Sequence, residues 1–331
     1  MNASAPSAPS ADSLRAALAG LLDGLPPQRA AQAVDRLIAT YRGTTPTDAP
    51  VLRDRSDVAA YAAYRMPATF EAVRGALDAL REAAPDWAPR THTDVGGGTG
   101  AATWAVAEAW GEVPPRTTVL DWAEPALALG RELAGGVLDA EWRRERIGGA
   151  LRLADTDLVT VSYVLKELTE ADRTSLVAEA ARAARAVVVV EPGTPDGYER
   201  IIAARALLVG AGFTVAAPCP HSGACPIAPG TDWCHFSARV SRSSLHRKVK
   251  GGSLAYEDEK YAYVAAVRFP VDPAAARIVR RPQIRKGLVQ LELCGPEGLS
   301  RDTVTKRHGP LYKQARDAEW GDPWPPEADA L

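Results

Sequence analysis

Asp94-Val95-Gly96-Gly97-Gly98-Thr99-Gly100 sets a carboxylate and a glycine-rich turn directly ahead of a helix-like run, Ala101 to Trp110. An acid at a strand end, a turn bare of side chains and a helix N-terminus let backbone approach a nucleotide-like ligand. Two ligand chemistries suit such a loop. Gly96-x-Gly98-x-x-Ala101 satisfies the dinucleotide fingerprint, and Asp121, after Thr118-Val119-Leu120, lies at the spacing of an acid that binds ribose hydroxyls. Asp94 followed by Gly96, Gly98 and Gly100 is also the order of an S-adenosylmethionine loop. A sulfonium is cationic and brings no pyrophosphate, so a carboxylate beside the loop favours that cofactor over NAD.

The second group with chemistry is the cysteines. Cys219, Cys225, Cys234 and Cys294 are all the cysteines of the chain, and three of them share a proline-rich stretch. Four thiolates suit tetrahedral zinc or a [4Fe-4S] cluster. Tight Cys-x2-4-Cys knuckles are missing, and Pro follows both Cys219 and Cys225. The wide spacing leans toward iron–sulfur, with zinc or unconnected buried thiols without metal as the alternatives; His221 and His235 could replace a thiolate but read first as polar loop residues.

Charge supplies a third signal. The formal net charge of 331 residues is -2, yet Arg239 to Arg316 holds 17 Lys and Arg against 7 Asp and Glu. An anionic partner is expected there, RNA first, with Arg239, Arg242, Arg247, Lys248 and Lys250 on one side of the cysteine module and Arg280, Arg281, Arg285 and Lys286 on the other. Phosphate contacts of this kind position RNA without reading its sequence. No stretch approaches the length of an apolar membrane span, and residues 1–12 lack a basic segment followed by an apolar one. The expectation is a cytoplasmic protein without a membrane partner.

The elements that must position these groups alternate in an α/β manner. Residues 1–12 read as disordered and 13–88 as a helical region, with helices from Ser13 to Leu22, from Pro26 to about Tyr41, and from Ser56 to Ala83, the last broken or kinked at Pro67. Strands are expected at Thr117–Leu120, Asp157–Tyr163 and Ala186–Val190, the last a continuous apolar run suited to a parallel strand covered on both faces. Asp94, Asp121, Ser162-Tyr163 and Glu191 then stand at the carboxyl ends of four strands, where open α/β sheets bind ligands. A core of residues 89–215 plus 261–270 is interrupted by a Cys-rich, basic insertion at 216–260 and followed by a basic extension at 271–331.

Taken together, Asp94 to Gly100, Ser162 to Leu168, Val190-Glu191-Pro192-Gly193-Thr194-Pro195, the Cys-Pro-His…Cys-Pro…Asp-Trp-Cys-His-Phe module and Gly251 to Tyr261 resemble the methyltransferase-like small-ribosomal-subunit assembly factors of mitochondria and their bacterial counterparts. The resemblance runs from about Tyr61 to Trp324. It implies a seven-stranded class I S-adenosylmethionine-dependent methyltransferase fold with a pocket for that cofactor, to which the segments above add an N-terminal helical cap and a basic C-terminal β extension. It also implies a [4Fe-4S] cluster on Cys219, Cys225, Cys234 and Cys294, and binding to the small ribosomal subunit through its 16S ribosomal RNA. No catalytic residue stands out. The tip after the fourth strand reads Ser162-Tyr163-Val164-Leu165 in place of the Asn/Asp-Pro-Pro-aromatic sequence that orients an exocyclic amine, and the thiols are committed elsewhere. Three readings follow: an assembly factor, an active ribosomal RNA methyltransferase, and an NAD-dependent oxidoreductase with an electron-transfer cluster.

Overall fold

The structure, a computed structural model, describes residues 9–22, 28, 32, 34, 55–228, 230–242 and 254–326. The helix expected from Pro26 to Tyr41 falls largely outside these residues, as do residues 1–8 and the basic residues Arg247, Lys248 and Lys250. Strands β1 (Thr91–Val95), β2 (Arg116–Asp121), β3 (Ala140–Arg144), β4 (Thr156–Ser162) and β5 (Ala184–Pro192) lie parallel in the order β3-β2-β1-β4-β5. Next comes β8 (Tyr256–Val267), antiparallel to β5, and then β6 (Thr214–Ala217), antiparallel to β8. A reversed strand inserted beside an otherwise parallel edge is the sheet of the class I methyltransferase fold. An all-parallel dinucleotide-binding sheet lacks it. β7 (Phe236–Ser241) pairs with the first half of β8 as an additional strand.

The apolar run of β5 is buried along nearly its whole length, because helices cover both faces of the sheet. α1 (Ala11–Leu22), α2 (Arg55–Ala83) and α3 (Ala101–Ala109) pack on one face, where Leu14, Phe70, Leu77, Leu80 and Trp104 join one core cluster. α5 (Glu170–Ala183) and α6 (Pro195–Gly210) pack on the other, with Leu176, Ile201 and Leu208. α4 (Glu124–Ala134) closes the β3 end over Trp142. Pro67 does not break α2, which continues through it. A proline removes one ladder hydrogen bond. The burial of Met66, Phe70, Val73 and Leu77 on either side offsets that loss.

The C-terminal segment folds as a second sheet in the order β10-β11-β9-β13, with β12 on β11. Its strands are β9 (Ala276–Ile278), β10 (Gln283–Arg285), β11 (Leu288–Gly295), β12 (Gly298–Thr305) and β13 (Pro323–Trp324), with α7 (Pro310–Asp317) against them. Ile278, Val289, Leu291, Leu293 and Trp324 form its core. Arg277 joins this sheet to the rest of the molecule. Its buried guanidinium donates to Pro218 O at 3.2 Å and to Glu82 Oε2 at 3.2 Å.

Candidate functional site

The carboxyl ends of the parallel neighbours β2, β1, β4 and β5 lie side by side along the edge, or crevice, where open α/β sheets bind ligands, and the glycine loop follows β1 there. Gly96 and Gly100 have φ of 71° and 88°, a region that favours glycine, and neither has room for a side chain. A Cβ on Gly96 would come within 2.6 Å of Val164, and one on Gly100 within 2.5 Å of Trp142. Gly98 N donates to Asp121 Oδ2 at 2.9 Å, and Ala123 N donates to Asp121 Oδ1 at 2.8 Å. Asp121 therefore fixes the loop while staying half-buried at the crevice wall, and removal from water raises its pKa.

Asp94 is placed otherwise than expected. It is fully buried beneath the loop, where Thr103 Oγ1 donates to its Oδ2 at 2.9 Å and Thr160 Oγ1 to its Oδ1 at 3.0 Å. Its carboxylate is occupied from within the fold and supports the loop from below instead of standing beside a ligand as counter-charge. Burial pushes its pKa up to about 6. His92 extends the chain of contacts, with Nε2 2.8 Å from Thr160 Oγ1 and Nδ1 3.1 Å from Thr117 Oγ1. Glu191 is likewise fully buried, accepting from Arg200 Nε at 2.6 Å and Leu165 N at 3.0 Å. Ser162 is buried at the end of β4.

Tyr163 has φ of 60°, in the left-handed region that costs a non-glycine residue energy. It is held there by partners distant in sequence. Its hydroxyl donates to Glu259 Oε1 at 3.0 Å, Arg65 donates to both Glu259 oxygens at 3.0 and 2.6 Å, and the Arg65 guanidinium lies 4.9 Å from the centre of the Tyr163 ring. Arg65 and Glu259 thus complete the crevice wall, and the local pattern around neither gave a signal for the pairing. Glu167, on the turn after β4, is another residue the sequence reading passed over. It is exposed there, and partial loss of water followed by repulsion from Asp121 and Glu191 raises the pKa of its carboxyl.

The four cysteines come together at a second place, between the two sheets. Cys219 and Cys225 follow β6, Cys234 precedes β7, and Cys294 lies in β11, yet all four line one cavity of about 30 Å³ with Tyr198, Arg205 and Leu299. That is room for more than one water-sized group. Burial raises the pKa of Cys219, Cys234 and Cys294, the last to about 12, and the thiols disfavour one another's ionisation. Tyr198 Oη is 3.1 Å from Cys225 Sγ, and His221 Nε2 is 4.0 Å from Cys294 Sγ. His235 stacks on Trp233 instead of facing a thiol. No group of three or more His, Cys, Asp and Glu side chains among the described residues is arranged to hold a metal ion.

The expected basic surface divides. Arg242 lies 3.2 Å from Glu257, and Arg280 is bound by Asp232 and donates to Trp233 O at 3.3 Å, so both charges are answered within the fold. Arg239 stacks over the Tyr256 ring at 4.3 Å with Asp258 3.8 Å away. Arg281, Arg285 and Lys286 are exposed on and beside β10, next to exposed Ile284.

The chain is similar to several known proteins. The magnesium protoporphyrin IX methyltransferase ChlM of Synechocystis PCC 6803 is similar over 81% of this chain and 100% of its own, at 13% identity and a TM-score of 0.41. The human ribosome assembly protein METTL17, mitochondrial, is 30% identical over 286 residues, which are 79% of this chain and 61% of that protein. The Rsm22-cox11 tandem protein 2 of Schizosaccharomyces pombe, mitochondrial, is 27% identical over 43% of this chain and 24% of its own. The chain thus spans less than two thirds of either relative. Both are mitochondrial proteins, which overturns the cytoplasmic location expected from the sequence: lack of an apolar span suits an organelle interior equally well. Residues 55–325 match the family described as mitochondrial small ribosomal subunit Rsm22, and the chain belongs to that family.

Proposed function

We propose that this protein is an assembly factor of the small ribosomal subunit that binds S-adenosylmethionine in the crevice and carries a thiolate-held metal centre between its two sheets. The observation that carries the reading is the crevice itself. Gly96, Gly98 and Gly100 cross the parallel strand ends over Asp121, and Asp121 and Glu167 give its wall an acidic character. Such a wall attracts a sulfonium and repels a pyrophosphate, and the reversed β8 departs from the dinucleotide-binding sheet. Asp121 keeps lone pairs for ribose hydroxyls. The cofactor, when bound, supplies an activated methyl group.

Membership in the Rsm22 family and likeness to a ribosome assembly protein support the ribosomal partner. Exposed Arg281, Arg285 and Lys286 are the charges left to meet RNA phosphates among the expected residues that the structure describes and finds without an internal acid. Four thiols facing one cavity support a centre on Cys219, Cys225, Cys234 and Cys294. The wide spacing of the four along the sequence, without tight Cys-x2-4-Cys knuckles, favours [4Fe-4S] over zinc. Tyr163, tied into the fold by Glu259 and Arg65 where an amine-orienting Asn/Asp-Pro-Pro-aromatic tip would stand, favours the factor over the methyltransferase.

Three measurements test the proposal. Calorimetry should show S-adenosylmethionine binding that Asp121→Ala weakens about tenfold or more, and tight NAD binding would overturn the cofactor assignment. A visible spectrum of anaerobically purified protein should show the cluster, whereas a colourless, zinc-containing protein would refute it. Mass spectrometry of small-subunit RNA from a deletion strain should find an intact modification map with immature particles. A missing methyl group would establish the enzyme instead.

A further inference from the structure

Arg65, Arg200, Arg242 and Arg277 are largely withdrawn from water, and each meets a carboxylate, of Glu259, Glu191, Glu257 and Glu82 respectively. Arg205 is the exception. It is only 6% exposed on α6, and no acid pairs with it among the described residues. One terminal nitrogen donates to the carbonyls of His221 and Gly223 at 2.8 and 2.7 Å, and its Nε has no partner. A buried, unpaired charge is costly, and carbonyl dipoles compensate it only in part.

What Arg205 faces is the thiol cavity. Its side chain lines that cavity together with Cys219, Cys225, Cys234 and Cys294. Four thiolates carry more negative charge than a divalent ion or an iron–sulfur core neutralises, so a filled centre is a buried anion. The unanswered cation and the excess anion occupy the same place. We propose that Arg205 is the counter-charge of the thiolate centre, a positioning residue that stabilises the anionic state of Cys219, Cys225, Cys234 and Cys294 once they bind a metal. The inference rests on the metal-centre reading above and adds the residue that makes the cavity tolerate such a centre. It also assigns separate tasks within one side chain. The terminal nitrogen ties the 221–223 loop, while the charge serves the thiolates.

The test separates those tasks in the full-length protein purified anaerobically. Arg205→Gln keeps an amide donor for the loop carbonyls and removes the charge; Arg205→Lys keeps the charge and loses the fork. Iron and zinc per chain are measured, followed by metal retention against increasing EDTA. The Gln variant is expected to release its metal at about tenfold or more lower chelator than wild type, in the range of supporting residues around metal ligands, and the Lys variant to stay within a few-fold. A folded Gln variant that retains metal like wild type would overturn the proposal. Equal loss in both variants would as well, since that result reports the loop tie alone. Should the Gln variant fail to fold, the Lys variant decides: retention supports the charge role and release refutes it. A wild type free of metal removes the centre, and with it this role, whereas a loaded wild type with an indifferent Arg205 removes only the role.

Discussion

Replacing Asp94 by Asn should make the protein more stable at neutral pH, although it removes a carboxylate from beneath the cofactor loop. Asp94 is fully buried, and burial raises its pKa from the ordinary 3.8 to about 6 even with two threonine hydroxyls donating to it. The unfolded chain therefore gives up this proton more readily than the native one. Below about pH 4 both states hold it and ionisation costs nothing. As the pH climbs from 4 to 6 the unfolded state gains, and above 6 the native state has lost roughly 3 kcal/mol, at about 1.4 kcal/mol for each pH unit between the two values. Asparagine carries no such penalty, and its amide can still accept from one threonine while donating to the other. The assay is thermal unfolding of wild type and Asp94→Asn from pH 4 to pH 8. The difference in midpoint should grow between pH 4 and 6 in favour of the variant, by on the order of 5 °C, and stay level beyond. Contributions of every other titrating group cancel in that difference. An offset independent of pH would refute the reasoning, because it would place the cost of Asp94 in packing and not in its charge.

Three further outcomes are expected. Gly96→Ala forces a left-handed residue and a Cβ 2.6 Å from Val164, so calorimetry should show S-adenosylmethionine affinity about tenfold or more lower in a protein that still folds; wild-type affinity would mean that the loop does not touch the cofactor. Glu259→Gln leaves Arg65 without its partner, with an expected loss of roughly 3 kcal/mol by denaturant unfolding, and Arg65→Met with Glu259→Met should lose less than that single change. On the basic edge, Arg285→Ala with Lys286→Ala should lower the salt dependence of small-subunit RNA binding by about one counterion per charge, while Arg242→Ala, paired to Glu257, should leave that slope unchanged.

What the sequence disclosed and what it hid divide along range. The loop from Asp94 to Gly100, the apolar run of β5 and the helix N-terminus at Ala101 are local patterns, and local patterns survive in one dimension. Arg65 and Glu259 stand 194 residues apart, and nothing near either residue specifies the other. β7 went unread because Phe236–Ser241 lies in a stretch dominated by cysteine, proline and arginine, where alternation is short and tertiary pairing with β8 decides the conformation. Charge counting overstated the free positive charge for a similar reason. A basic run predicts an electropositive face only until folding brings Asp232 to Arg280 or Glu257 to Arg242. The direction of Asp94 and Glu191 was equally out of reach: a strand-end acid points to ligand or to core according to which hydroxyls and guanidinium groups the neighbouring strands and helices supply.

β8 explains how the two candidate sites belong to one body. Its residues alternate between faces: Tyr261, Tyr263, Ala265 and Val267 enter the core under α2, while Ala262, Val264 and Ala266 enter the core under α6. Tyr261 fits against α2 so closely that a Cβ on Gly75 would come within 2.4 Å of its hydroxyl. Two residues before Tyr261, Glu259 fixes Tyr163 and Arg65 at the crevice, and at Ala262 and Tyr263 the same strand lines the thiol cavity. Close-packed interiors transmit displacement instead of absorbing it. Collapse of the cavity after loss of a thiol would push on Ala262 and Tyr263 and so on the strand that holds the crevice wall. Loss of a cavity thiol should therefore weaken S-adenosylmethionine binding as well as stability. Calorimetry on Cys294→Ser checks this, since Cys294 lies in the second sheet and touches no crevice residue named above. Unaltered cofactor affinity in that variant would mean that β8 insulates the two sites instead of joining them.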